Sequence, residues 1–165
     1  MRLSTRGRYA VMALVELAAR SRGQQAKDGR DAHNAELVTV SCAPVSLSEI
    51  AQAQQLSIAY LEQLFARLRR AGLVASARGP GGGYRLAMPA EMISVGAVIE
   101  AVDEPITATR CDAADAGCLA GQRCLTHDLW HELGSQIALF LTHVTLADVV
   151  DGQVLGRARP PRSAR

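Results

Sequence analysis

Residues 46–72, SLSEIAQAQQLSIAYLEQLFARLRRAG, decide the fold. Ser46 followed three residues later by Glu49 is a capping-box pattern, in which hydroxyl and carboxylate satisfy exposed backbone N–H groups reciprocally. A helix therefore starts there and runs to about Gln54. After a break at Gln55-Leu56-Ser57-Ile58, a second helix is expected over residues 57–71, with Ser57 as N-cap and Gly72 as its stop. Leu61, Leu64, Phe65 and Leu68 fall at i, i+3, i+4 and i+7 and form one apolar stripe. Tyr60, Glu62, Gln63, Arg67 and Arg70 are left on more exposed faces. Two short helices across a tight turn make a helix-turn-helix.

Working outward, Leu73–Ala77 and Tyr84–Ala87 can pair around Arg78-Gly79-Pro80-Gly81-Gly82-Gly83, giving a hairpin with a glycine-rich tip, a wing. Upstream, apolar residues with helical period over 2–20 predict a buried first helix, with Ser4 or Thr5 able to cap it. Residues 22–43 read as a surface insertion with one short edge strand at Leu37–Val40. Downstream, residues 94–103 form a short helix before Pro105, and residues 106–125 lack periodicity. Leu129, Trp130, Leu133, Ile137, Leu141 and Val144 mark a long amphipathic helix from Thr126, with Leu146–Val150 as a short continuation. The fold class expected is mainly α with a small β-wing. Its parts are a winged helix-turn-helix domain (1–90), a connecting helix (91–105), a cysteine-bearing loop (106–125), a long helix region (126–152) and a disordered Arg/Pro-rich tail (153–165).

The formal net charge of +2 conceals an asymmetry. Residues 1–90 carry twelve Lys/Arg against six Asp/Glu, a balance of +6, and the remainder carries six against ten, a balance of −4. A basic half joined to an acidic half directs a polyanion to the first alone. An aromatic content of 4% disfavours a large ring-lined substrate cleft. No catalytic constellation is present, since His33, His131 and His143 lack nucleophile partners and read as surface or interface residues. Neither a signal peptide nor a spanning apolar run is found, so the expected location is the cytoplasm, with no membrane partner. In that reducing compartment the four cysteines are better read as metal or redox ligands than as disulfides.

The second helix of a helix-turn-helix lies in the major groove and reads base edges from its N-terminal residues, here Ala59, Tyr60, Glu62 and Gln63. Gln63 can pair bidentately with adenine and Glu62 can accept from a cytosine amino group. Arg67, Arg69 and Arg70 suit phosphates or acidic neighbours. Arg78, beside Gly79 and Gly81, suits a guanidinium entering a narrow minor groove. Arg2 of the N-terminal stretch completes the DNA-binding set. The glycine run lacks nucleotide-loop spacing and leads into a strand, so a phosphate-loop reading is weak.

Cys111, Cys118, Cys124 and His127 read Cys-x6-Cys-x5-Cys-x2-His. Three thiolates and one imidazole can bind zinc or an iron-sulfur cluster. Structural zinc sites usually draw on paired CxxC knuckles, whereas widely spaced cysteines in a loop can wrap the larger iron-sulfur unit. Cys42 stands apart in the insertion and reads as an ordinary free thiol.

The stretches MRLSTRGRYA (1–10), YLEQLF (60–65), RGPGGGY (78–84) and CLTH (124–127) resemble the IscR-type iron-sulfur cluster regulators. The likeness covers nearly everything except residues 22–43 and the tail. It implies a homodimeric winged-helix transcription factor that binds a quasi-palindromic double-stranded DNA operator. It further implies a 2Fe-2S cluster held by Cys111, Cys118, Cys124 and His127, supplied by the iron-sulfur assembly machinery, and repression of cluster-assembly genes. On that reading 106–125 is the cluster-binding loop and 126–152 the dimerisation region, the helix from Thr126 crossing to a second subunit. The first cysteine gap is one residue longer than in those regulators, and the insertion after the first helix is longer too. Two rival readings use the same residues: a zinc-binding or thiol-redox winged-helix repressor, and an iron-sulfur electron-transfer or accessory protein.

Overall fold

The computed structural model describes residues 5–27, 43–102 and 123–156, the side chains of 24–27 excepted. The first helix, α1 (Thr5–Lys27), is longer than the apolar period predicts, because polar contacts carry it past residue 20. Arg20 Nε pairs with Glu16 one turn back at 2.6 Å, and the Ser21 hydroxyl donates to the Leu17 carbonyl at 2.9 Å. Arg22 then ties α1 to Glu91 at 2.7 Å and to Asp151. The start of the segment read as an insertion is thus helical. The edge strand expected at Leu37–Val40, together with His33 and Cys42, lies outside the described residues.

Helix α2 (Leu47–Gln54) opens with the capping box read from the sequence. Ser46 Oγ accepts from the Glu49 N–H at 3.3 Å and the Glu49 carboxylate accepts from the Ser46 N–H at 2.9 Å. Gln55, in the left-handed region at φ 53°, turns the chain into α3 (Ile58–Arg70). Ser57 occupies the N-cap of α3 but makes no side-chain capping bond. At the other end Gly72 takes φ 75°, which lets Leu73 N–H return to the Leu68 carbonyl at 3.0 Å.

Strands β1 (Val74–Ala77) and β2 (Gly83–Leu86) pair antiparallel with Val74 opposite Leu86 and Ala77 opposite Gly83. Val45 adds a bridge to the outer side of β2 at Tyr84. A short 3-10 turn (Ala90–Met92) leads to α4 (Val95–Ala101), capped by Ser94. The long helix α5 (His127–His143) ends where the chain folds back, Val95 N–H donating to the Val144 carbonyl at 2.8 Å and Leu146 N–H to Ile93 at 2.9 Å. Helix α6 (Leu146–Val150) carries its own capping box, from Thr145 and Asp148. The turn beyond it is hydrogen-bonded, Gln153 N–H reaching the Asp148 carbonyl at 2.8 Å, so order extends past the expected start of the tail. Residues 157–165 lie outside the described set.

One core joins these elements. Leu14 and Leu17 of α1, Ile50 of α2, Leu61 and Phe65 of α3, Val98 of α4 and Leu146 of α6 are all fully buried. Each such side chain contributes about 1.5–3 kcal/mol by leaving water. The mainly helical class with a small two-stranded wing is as the sequence predicts. No helix among the described residues is long and apolar enough to cross a membrane.

Candidate functional site

The buried stripe of α3 fixes which residues its outer face presents. With Leu61, Leu64, Phe65 and Leu68 turned inward, Ala59, Glu62, Gln63, Arg69 and Arg70 are exposed. Tyr60 is half-buried, its ring edge-on to Tyr9 of α1 with centroids 6.0 Å apart. Arg67 is also half-buried, and its Nη1 donates to the Val102 carbonyl at 3.4 Å. The expected DNA-contact set therefore divides. Ala59, Glu62 and Gln63 lie together on the outer face of α3, while Tyr60 and Arg67 turn toward α1 and α4.

The wing is held against α3 by its own core contact. Phe65 of α3 and Tyr84 of β2 meet with ring centroids 4.7 Å apart at 61°, an arrangement in which aromatic quadrupoles attract. This fixes the tip relative to α3. At the tip Arg78 is exposed, and Gly79 (φ 105°) and Gly81 (φ 76°) occupy conformations that a side chain would strain. Gly82 N–H closes the turn on the Gly79 carbonyl at 2.8 Å. Exposed arginines on α3 and at the tip make a cationic outer surface suited to phosphate. Arg2 lies outside the described residues.

The second constellation sits at the start of α5. His127 N–H donates to the Cys124 carbonyl at 3.0 Å, so both side chains belong to one turn. Cys124 is half-buried, and its Sγ lies 3.4 Å from Thr126 Oγ1, which also accepts from the Trp130 indole N–H at 3.2 Å. One turn on, His131 lays its ring parallel to that of His127, 4° between planes and 6.3 Å between centroids. Arg123 and Asp128 pair at 3.7 Å, both mostly exposed, so that pair contributes little. A thiol and an imidazole are donors that iron and zinc accept alike. Cys111 and Cys118 lie outside the described residues, and among the described residues no group of three His, Cys, Asp or Glu side chains comes together.

Among the described residues, the apolar side of helix α5 is covered only in part. On that side Leu129 is 61% exposed and Trp130 and Leu133 40% each. Of the stripe read from the sequence, only Val144, beyond the end of the helix, is buried. Sequence reading missed the Arg67–Val102 contact and the Val45–Tyr84 bridge, since neither leaves a trace in local periodicity.

Comparison with known proteins adds to this geometry. A family described as Rrf2, iron-dependent transcriptional regulator, matches residues 34–152. The HTH-type transcriptional regulator IscR of Yersinia pestis is 49% identical over 153 residues, covering 93% of this chain and 81% of that protein. The structure of CymR, the global cysteine regulator of B. subtilis, superposes with a TM-score of 0.69 at 31% identity, over 92% of this chain and 98% of that one. IscR of T. potens gives a TM-score of 0.64 at 34% identity, over 97% and 93%.

Proposed function

The chain belongs to the Rrf2 family of iron-dependent transcriptional regulators, and from that membership we propose a homodimeric repressor of iron-sulfur cluster assembly genes that answers to a 2Fe-2S cluster. One observation carries the reading. Cys124 and His127 close one turn at the start of a helix whose apolar side the described residues cover only in part. A ligand pair and a dimer seam on one element would link cofactor occupancy to the spacing of two recognition helices.

The donor set fits the group. Cys111, Cys118 and Cys124 would hold it as thiolates and His127 through a ring nitrogen, donor types known on iron-sulfur units. When bound, a 2Fe-2S cluster supplies an oxidation-sensitive, redox-active centre whose presence is the signal. The assembly machinery is the proposed donor.

On the DNA side, Ala59, Glu62 and Gln63 would meet base edges in the major groove, with Tyr60 fixing the approach of α3. Arg78 would enter the minor groove, where Gly79 and Gly81 allow the backbone close. Arg69 and Arg70 would meet phosphates, and Arg2 would extend the basic surface. Such a regulator acts in the cytoplasm on a quasi-palindromic operator.

Anaerobic purification tests the cofactor. Visible charge-transfer absorption with iron and sulfide in equal amounts is the expected result. A colourless protein carrying zinc, or a metal-free one that binds operator identically whether its thiols are oxidised or reduced, would overturn it.

A further inference from the structure

Helix α3 carries a guanidinium that turns away from the base-reading residues. Arg67 Nη1 donates to the Val102 carbonyl at 3.4 Å, and Arg6 Nη1 of α1 donates to the same oxygen at 3.5 Å. Arg67 follows Tyr60 by seven residues, close to two helical turns, so the two share one side of α3. That side faces α1, as the Tyr60–Tyr9 ring contact shows. Gln63 and Ala59, by contrast, stay exposed.

Val102 is the fully buried C-cap of α4, and the chain runs from it into the stretch that bears Cys111 and Cys118. Carbonyls at a helix C-terminus lack intrahelical partners and carry partial negative charge. Two guanidinium groups on one such oxygen are therefore held by charge as well as by hydrogen bonds. At its other end α4 is fixed to α5. Val95 N–H donates to the Val144 carbonyl, and a Cβ on Gly96 would meet Leu141 and Thr142 backbone at 3.3 Å. Helix α4 thus spans from the C-terminal end of α5 to α3.

We propose that Arg67 is a positioning residue that ties α3 to the end of α4 through the Val102 carbonyl, making operator affinity depend on occupancy of the cysteine ligand set. The inference rests on the proposed function and names the route by which that function is regulated. The competing role for Arg67 is a direct phosphate contact.

Operator affinity is measured for the full-length protein, cluster-loaded and cluster-free (the Cys124→Ala form), across a salt series, in wild-type, Arg67→Ala and Arg6→Ala backgrounds. The expected result is that Arg67→Ala narrows the loaded-to-free affinity ratio by about fivefold or more, within the usual range of allosteric coupling, while cluster absorbance and salt slope stay as in wild type. Arg6→Ala, which leaves α3 untouched, narrows the ratio in the same direction and keeps the test open if Arg67→Ala unfolds. An equal affinity loss in both forms, with a salt slope smaller by about one, makes Arg67 a phosphate contact and overturns the proposal. A ratio unchanged in both variants also overturns it. A wild-type ratio of one removes the functional reading and the coupling together, so the two failures are told apart.

Discussion

Gly83 lies so close beneath Val45 that a Cβ on it would sit 2.3 Å from the Val45 carbonyl oxygen and 2.5 Å from the carbonyl carbon. The approach is fixed by two backbone hydrogen bonds between Val45 and Tyr84, at 2.9 and 2.8 Å. Neither obstructing atom can swing aside, so Gly83→Ala forces the wing away from the segment that leads into α2. The expected loss is about 1–3 kcal/mol, the usual range for overpacking, read as a lower urea midpoint at unchanged slope. Wild-type stability in that variant would show that Val45 does not clamp the wing.

Ser46→Ala removes the hydroxyl half of the α2 capping box and should destabilise by about 1 kcal/mol at neutral pH. The effect has a pH signature. Hydrogen bonds from the Ser46 hydroxyl and backbone N–H, with Arg20 adding attraction, hold the Glu49 carboxyl below its ordinary value. A depressed folded pKa gives stability that is present above the unfolded value, about 4.3 for Glu, and is lost as pH falls through the folded one. The gap between wild type and Ser46→Ala should therefore shrink on acidification, as thermal melts across that range would show. A gap that widened toward acid would contradict this account of the cap.

Much of this architecture is legible in the sequence, for physical reasons that can be named. Leu61, Leu64, Phe65 and Leu68 repeat with helical period, and Ser46 with Glu49 forms a local cap, so α2 and α3 are written in neighbouring residues. The wing is legible because only glycines tolerate the backbone at 79 and 81. The end of α1 is less so, since Arg20, Ser21 and Arg22 break the apolar period yet continue the helix through ion pairs and a hydroxyl bond. Val45–Tyr84 and Arg67–Val102 are pairings between distant segments that no local pattern encodes. For α5 the period reveals which side needs cover, but leaves open what provides it. Of the proposed metal ligands, Cys124 and His127 lie in one turn at the start of α5, while Cys111 and Cys118 fall outside the described residues.

On the proposed reading, base reading and phosphate binding fall to different residues of α3. Gln63→Ala should cost about 1–3 kcal/mol of discrimination and relax preference at one base pair of each half-site. Arg70→Ala should weaken every sequence alike and reduce the salt slope by about one. Binding titrations on a panel of single-base operator variants at several salt concentrations distinguish the two. Uniform weakening by Gln63→Ala would remove it from the base-reading set.

Leu133 is 40% exposed on the apolar side of α5, so Leu133→Glu should leave the fold of one chain intact while placing a charge in the proposed dimer seam. Sedimentation should show monomer at concentrations where wild type is dimeric, with unchanged circular dichroism. A variant that stays dimeric would move the seam off this face.

The central claim is that one chain couples a winged-helix DNA reader to a cluster held by Cys111, Cys118, Cys124 and His127. Its most direct test is the operator affinity of anaerobic wild-type protein, compared with and without cluster at fixed salt. A difference of about fivefold or more at one class of operator, abolished in the Cys124→Ala form, is the predicted result. Equal affinity for every operator in both states would contradict it.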